Sequence, residues 1–185
     1  MIIQLCGLSG AGKTTIAHNV KLKAIAYSTP IEIIDGDNYR DLLCKDLGFS
    51  KEDRCENIRR LGFVASRLSG HGVVCIISAI NPYEAIRHEL SNTYDLVKTV
   101  YIDCPVKELI ARDTKGLYKR ALLPDGHPDK IPNLTGINDP FEAPLMPDLH
   151  LRTNEKTITT CTNELFSFIR QTLSLKHTAL RIASN

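Results

Sequence analysis

Eight consecutive residues carry the most specific chemistry in this chain. Gly7-Leu8-Ser9-Gly10-Ala11-Gly12-Lys13-Thr14 is a full match to G-x-x-x-x-G-K-[ST]. Glycines let successive backbone N–H groups converge on phosphate oxygens, and a helix N-terminus directly behind them adds its partial positive charge. Gly7, Ser9, Gly10, Ala11, Gly12, Lys13, Thr14 and Thr15 are therefore the expected nucleotide-binding residues. Lys13 would reach the β- and γ-phosphates and act in transfer, and the Thr14 hydroxyl would complete a Mg²⁺ shell. The bland reading, a chance Gly-rich turn, does not account for the apolar run before the motif and the helical segment after it. The motif specifies a nucleoside triphosphate with Mg²⁺ and leaves the phosphate acceptor open.

Acceptor chemistry is expected further along. The apolar run Ile31–Ile34 ends in Asp35-Gly36-Asp37-Asn38-Tyr39-Arg40. Ligand sites of parallel sheets form beyond the carboxyl ends of the strands. Asp35 and Asp37 are thus placed to take a proton from an attacking hydroxyl or to hold Mg²⁺ through water, unless Asp37 merely caps the next helix. Ser50-Lys51-Glu52-Asp53 has the form of a capping box. In the helix it opens, Ile58, Leu61, Ala65 and Leu68 recur at core-facing spacing, and the stripe extends back to Asn57 and Arg54. Those two either enter a cleft or belong to a solvated charged turn. Arg112, Lys115, Lys119 and Arg120 set four positive charges against Asp113 just before a Pro-rich stretch. That pattern suits a lid closing over phosphates, with Arg112 at the nucleotide and Lys115 at the second substrate, or else a solvated basic face.

The elements that must position these groups read as an α/β protein with a largely parallel sheet, because short apolar runs alternate with segments of helical period. Strands are expected at Ile2–Cys6, Ile31–Asp35, Val73–Ser78, Val97–Asp103 and Leu149–Leu151. Helices are expected at Lys13–Ala26, Asn38–Cys44, Lys51–Ser69, Pro82–Leu90, Pro105–Ala111 and Glu155–Leu175. Leu122–Pro147 holds six prolines and reads as a long loop. Loops of that length in compact domains tend to be lids or disordered. The reading is one domain over residues 1–175, a lid at about 112–147, and a loose tail at 176–185.

Composition excludes several classes. The 185 residues carry 23 basic and 21 acidic side chains, a balance that argues against a nucleic-acid partner. No apolar run approaches the roughly 20 residues needed to span a bilayer, so no membrane partner is expected. The N-terminus lacks the basic region of a signal peptide, so a cytoplasmic location is expected. Six cysteines form no C-x-x-C pair and read as reduced thiols rather than a zinc site.

The motifs GLSGAGKTT, DGDNYR, DLGFSKEDRCENIRR, KGLYKRA and TGINDPFEAP, in that order, resemble the adenylyl-sulfate kinase family over most of the chain. The resemblance implies a three-layer P-loop NTPase fold, with a mainly parallel sheet flanked by helices and a lid segment. It implies transfer of the ATP γ-phosphate to the ribose 3′-hydroxyl of adenylyl sulfate, with Mg²⁺ and a homodimer. By the same resemblance Asp35 is the base or orienter, with Asp37 beside it. Arg40, Arg54 and Asn57 hold phosphosulfate and ribose, and Phe49 stacks on adenine. The sequence departs from the family in three places. Leu134 stands where a second aromatic usually closes an adenine clamp. Asn81-Pro82-Tyr83-Glu84 replaces the common SPYR, which removes the serine sometimes described as phosphorylated and turns a basic residue into Glu84. These departures support an alternative, a kinase for another nucleotide-linked acceptor. A regulatory P-loop NTPase is a weaker reading, because the chain has no N-K-x-D motif.

Overall fold

The computed structural model describes residues 1–183, with side chains described through Lys176. Five strands, β1 (Ile2–Cys6), β2 (Ile31–Asp35), β3 (Val74–Ser78), β4 (Val97–Asp103) and β5 (Leu149–Arg152), form one sheet in the order β2-β3-β1-β4-β5. All four pairings are parallel. The chain leaves β1 toward β2 on one side and returns to β4 on the other. This reversal of strand order opens a crevice beyond the carboxyl end of β1, where parallel α/β sheets bind ligands.

Strand alternation divides the core in two. Ile3 and Leu5 of β1 join Ile76, Val100 and Ile102 against α1 (Lys13–Ile25) and the C-terminal helix, through Ile16, Val20, Leu165 and Ile169. Ile2 with Ile34, Cys75 and Ile77 faces α3 (Lys51–Gly70) and α4 (Glu84–Thr93), through Ile58, Leu61, Ala65, Ile86 and Leu90. Helices on both faces make the expected three layers. The six cysteines are free thiols. Burial pushes Cys6 up to about 12, which keeps it protonated and inert.

The remaining helices are α2 (Gly36–Leu43), α5 (Val106–Arg112), α6 (Leu117–Ala121) and α7 (Ile158–Ala183). Several boundaries differ from the sequence reading for identifiable reasons. Helix α2 starts at Gly36 because Asp35, not Asp37, is its N-cap; the Asp35 carboxylate accepts from the N–H groups of Asp37 and Asn38. Ser50 caps α3 by accepting from the Asp53 N–H, as the capping-box pattern implies. Helix α4 begins two residues later than expected, since Pro82 and Tyr83 remain extended in front of it. Helix α6 was not anticipated. Its five residues are too few for a periodic signal. The loose tail expected from residue 176 is replaced by a continuation of α7 to Ala183, while residues 184 and 185 lie outside the described residues. Among the described residues no helix is long and apolar enough to cross a membrane.

Candidate active site

The phosphate-binding loop leaves β1 by a route that only glycine permits. Gly7 has φ 147°, and a Cβ there would lie 2.2 Å from the Ile102 carbonyl oxygen. The loop closes into α1 at Gly12, itself left-handed. Two distant residues brace it: the Tyr118 hydroxyl donates to the Ser9 carbonyl at 2.8 Å, and the Thr153 hydroxyl donates to the Ala11 carbonyl at 3.0 Å. Lys13 is buried, and its ammonium donates to the Gly7 and Leu8 carbonyls at 2.8 Å each. Desolvation there, reinforced by the positive charge of Lys115, lowers the Lys13 pKa from its ordinary value to about 8.

The loop lines a cleft of about 350 Å³ whose walls include Ser9, Gly10, Ala11, Gly12, Lys13, Thr14 and Thr15. Arg112 and Lys115 reach it from the end of α5 and the turn after it, Asp35 and Asp37 from the end of β2, and Ser78 from the end of β3. Lys119 and Arg120 do not line it; Arg120 donates instead to the Asp129 carbonyl. The basic segment therefore divides, with its first two cations at the cleft and its last two exposed away from it.

Thr14 sits at the meeting point of three oxygens. Its hydroxyl donates to Asp35 Oδ2 at 3.0 Å and lies 3.1 Å from the Ser78 hydroxyl. Among the described residues no cluster of three His, Cys, Asp or Glu could hold a metal by itself. This hydroxyl–carboxylate–hydroxyl set, beside a phosphate site, fits a hard divalent cation that takes its remaining ligands from phosphate and water.

A second, narrower recess of about 90 Å³ adjoins the cleft and is lined by Asp37, Arg40, Phe49, Arg54, Asn57 and Asn81. Asp37 belongs to both cavities, and its Oδ2 accepts from Lys115 Nζ at 2.8 Å. Phe49 is 54% exposed, with the guanidiniums of Arg40 and Arg54 at 4.3 and 5.4 Å from its ring centroid. Asn57 is 7% exposed, so the α3 stripe does turn polar into a cavity rather than into solvent. Arg54 donates to the Phe49 carbonyl at 3.1 Å and to the Asn133 carbonyl at 2.7 Å.

Two of the three departures from the family pattern lie outside the recess. Leu134 is 7% exposed and packs in the core cluster with Leu8, Tyr118 and Ala121; it does not line the recess. Its apolar side chain favours burial over forming a wall of a polar recess. Glu84 also stands outside the recess, bound to the buried Arg87 and to His88. Arg87 carries this corner onward by donating to the carbonyls of Asn81 and Glu142, and the Glu142 N–H donates to Pro82. The stretch that reads as a long loop is thus pinned at its C-terminal foot. Its tip is pinned too: Gly136 (φ 88°) backs onto Leu8, leaving no room for a Cβ, which would lie 2.6 Å from Leu8 Cδ2. Ser78, Tyr118, Thr153 and Asp139 are not among the site residues that the sequence points to. Each is a lone polar residue whose partner lies far away in the chain.

The family model for adenylylsulphate kinase matches residues 1–152. The adenylyl-sulfate kinase of Chloroflexus aurantiacus is 43% identical over 171 residues, covering 92% of this chain and 89% of that protein. That of Microcystis aeruginosa is 46% identical over 156 residues, covering 84% and 83%. Among solved structures, the Mycobacterium tuberculosis APS kinase CysC in complex with AMPPNP and APS superposes with a TM-score of 0.84. It is 33% identical, with coverage of 91% of this chain and 96% of that one. With the strand order, the loop after β1 and the paired cavities already described, these matches show that the chain belongs to the adenylylsulphate kinase family of P-loop phosphotransferases.

Proposed function

We propose that this protein transfers the γ-phosphate of ATP to the ribose 3′-hydroxyl of adenylyl sulfate. The observation that carries the reading is Asp37 and its neighbour Asp35, set where the phosphate cleft opens into a recess that holds two arginines and an exposed phenylalanine. ATP would lie with its phosphates on the loop amides, held by Lys13 and approached by Arg112. The acceptor's phosphosulfate would meet Arg40, Arg54 and Lys115, its ribose Asn57, and its adenine the Phe49 ring. Its hydroxyl then faces the γ-phosphate beside Asp35 and Asp37.

Phosphoryl transfer demands positioning and charge stabilisation more than covalent chemistry. Asp35 has one oxygen fixed by two backbone N–H groups and the other by Thr14, so it is an anchored acceptor for the attacking hydroxyl's proton. Mg²⁺ held by Thr14, and through water by Asp35, would supply positive charge to the phosphate oxygens. Lys13 leaves its two carbonyl partners for the same oxygens. The lid, about residues 112–147 of a kinase domain spanning 1–175, would close over both ligands and exclude water. The family resemblance further supports a homodimer, and the N-terminal sequence a cytoplasmic location, which sedimentation and cell fractionation would test.

The alternative acceptor loses two of its three supports, because neither Leu134 nor Glu84 faces the recess. Asn81 does, and it keeps the question experimental. Coupled ATP turnover should rise strongly with adenylyl sulfate and stay near background with cytidine and uridine conjugates. Turnover on one of those conjugates alone would refute the reading.

A further inference from the structure

Among the described residues, four buried side-chain atoms have no hydrogen-bond partner: Asn57 Oδ1, Asn81 Oδ1, Thr135 Oγ1 and Asp139 Oδ2. They gather in one region. Asn57 and Asn81 line the recess, while Thr135 and Asp139 pair across the bridge that closes the lid turn. Buried polar atoms are almost always partnered, so a cluster of exceptions marks a junction arranged for something other than stability.

Arg54 joins the two groups. Its Nε donates to the Phe49 carbonyl and lies 3.1 Å from Asp139 Oδ2, and its Nη2 donates to the Asn133 carbonyl. The approach to Asp139 is a charge contact without hydrogen-bond alignment, which is why that oxygen counts among the four. The side chains are only 10% and 21% exposed. All three partners crowd the Nε–Nη2 edge of the guanidinium, which leaves the Nη1 end for the recess that Arg54 lines. A guanidinium is planar and binds anions through a fixed fork, so fixing one edge fixes the direction of the other.

We propose that Asp139 is a positioning residue of the acceptor site, a lid-borne carboxylate that neutralises Arg54 and aims its Nη1 end at the anionic group of the acceptor. The carboxylate sits on the lid and the arginine on α3, so the ion pair exists only while the lid turn rests on the recess. Grip on the acceptor and lid position then become one equilibrium, and acceptor binding draws the lid shut. Without Asp139 the arginine would be a largely buried cation held by two carbonyls alone and without a counter-charge, and fixing it would weaken acceptor binding.

The inference rests on reading the recess as the acceptor site, and the test separates the two. Steady-state kinetics are compared for the wild type, Asp139→Asn, Arg54→Lys and the double variant. Asp139→Asn, isosteric but uncharged, should raise KM for adenylyl sulfate about tenfold while KM for ATP stays within about twofold. On the Arg54→Lys background the same change should cost less than about twofold, because a lysine has no Nε–Nη2 edge to hold. A merely structural role would move both KM values together and persist on that background. An unchanged or lowered acceptor KM in Asp139→Asn, or full additivity in the double variant, overturns the proposal. Asp139→Ser, read by the same pair of KM values, decides the matter should Asp139→Asn fold poorly. A wild type that ignores adenylyl sulfate refutes the acceptor reading itself.

Discussion

The phosphate cleft takes eight of its lining residues from one unbroken stretch, Ser9–Ile16. The recess beside it draws Asp37 and Arg40 from α2, Phe49 from the next loop, Arg54 and Asn57 from α3, and Asn81 from the loop after β3. The cleft offers about 350 Å³ and the recess about 90 Å³. A glycine-rich loop takes most of its shape from its own backbone and the helix behind it, and Tyr118 and Thr153 brace it, so it is ready before any ligand arrives. A recess assembled from several segments depends on each of them and on the turn that carries Asn133 and Asp139. One of its walls, Arg54, is held by the Asn133 carbonyl and the Asp139 carboxylate. The two halves of one site thus differ in preorganisation, and substitutions should affect them differently.

The largest expected effect falls where the halves meet. Asp35→Asn should lower kcat by about 10²–10⁴, the usual contribution of a positioned proton acceptor, with ATP affinity changed little. Near-normal turnover would remove Asp35 from the chemistry. Phe49→Ala should raise KM for adenylyl sulfate about tenfold or more, the equivalent of one lost base stack, with KM for ATP unmoved. Parallel changes in both would break the division between the halves.

The donor side has its own signature in pH. Burial lowers Lys13 to about 8, so above that pH the empty cleft loses its main positive charge. Nucleotide binding must then take up a proton, and ATP affinity should fall several-fold between about pH 7.5 and 9, at most tenfold per unit. Titration calorimetry in buffers of different ionisation enthalpy reads that proton directly. Lys13→Arg, which keeps its charge, should bind ATP with a flat profile over the same range. Smallest is the effect of Ser50→Ala. Losing the α3 cap should cost about 1 kcal/mol of stability, seen in thermal melting, and should raise the acceptor KM slightly more than the ATP KM, since Arg54 and Asn57 ride on the first turns of that helix.

Legibility followed the same division. The strand–loop–helix of the donor site could be read residue by residue, because its determinants are consecutive in the chain. The α3 stripe was also legible, and Asn57 lies where helical spacing places it. Asp37 as a helix cap was not borne out, because Asp35 already satisfies those N–H groups. Leu134 could not be located from its place in a motif, since whether an aliphatic side chain lines a pocket or fills the core depends on what surrounds it. Lys119 and Arg120 shared a charge pattern with Arg112 and Lys115, yet the short helix α6 turns them away from the cleft.

The order of residues was enough for the fold class, the phosphate-binding loop, the carboxylates at the end of β2 and the helix that carries Arg54 and Asn57. Each of these is written in local period, capping or contiguous motif. It took the packed chain to show that Tyr118 and Thr153 brace the loop, that Arg87 holds the Glu142 carbonyl, and that Asp139 meets Arg54. Those contacts join residues far apart in the chain. Nothing in the spacing of single polar residues records which distant partner the packing of the sheet and helices will bring to them.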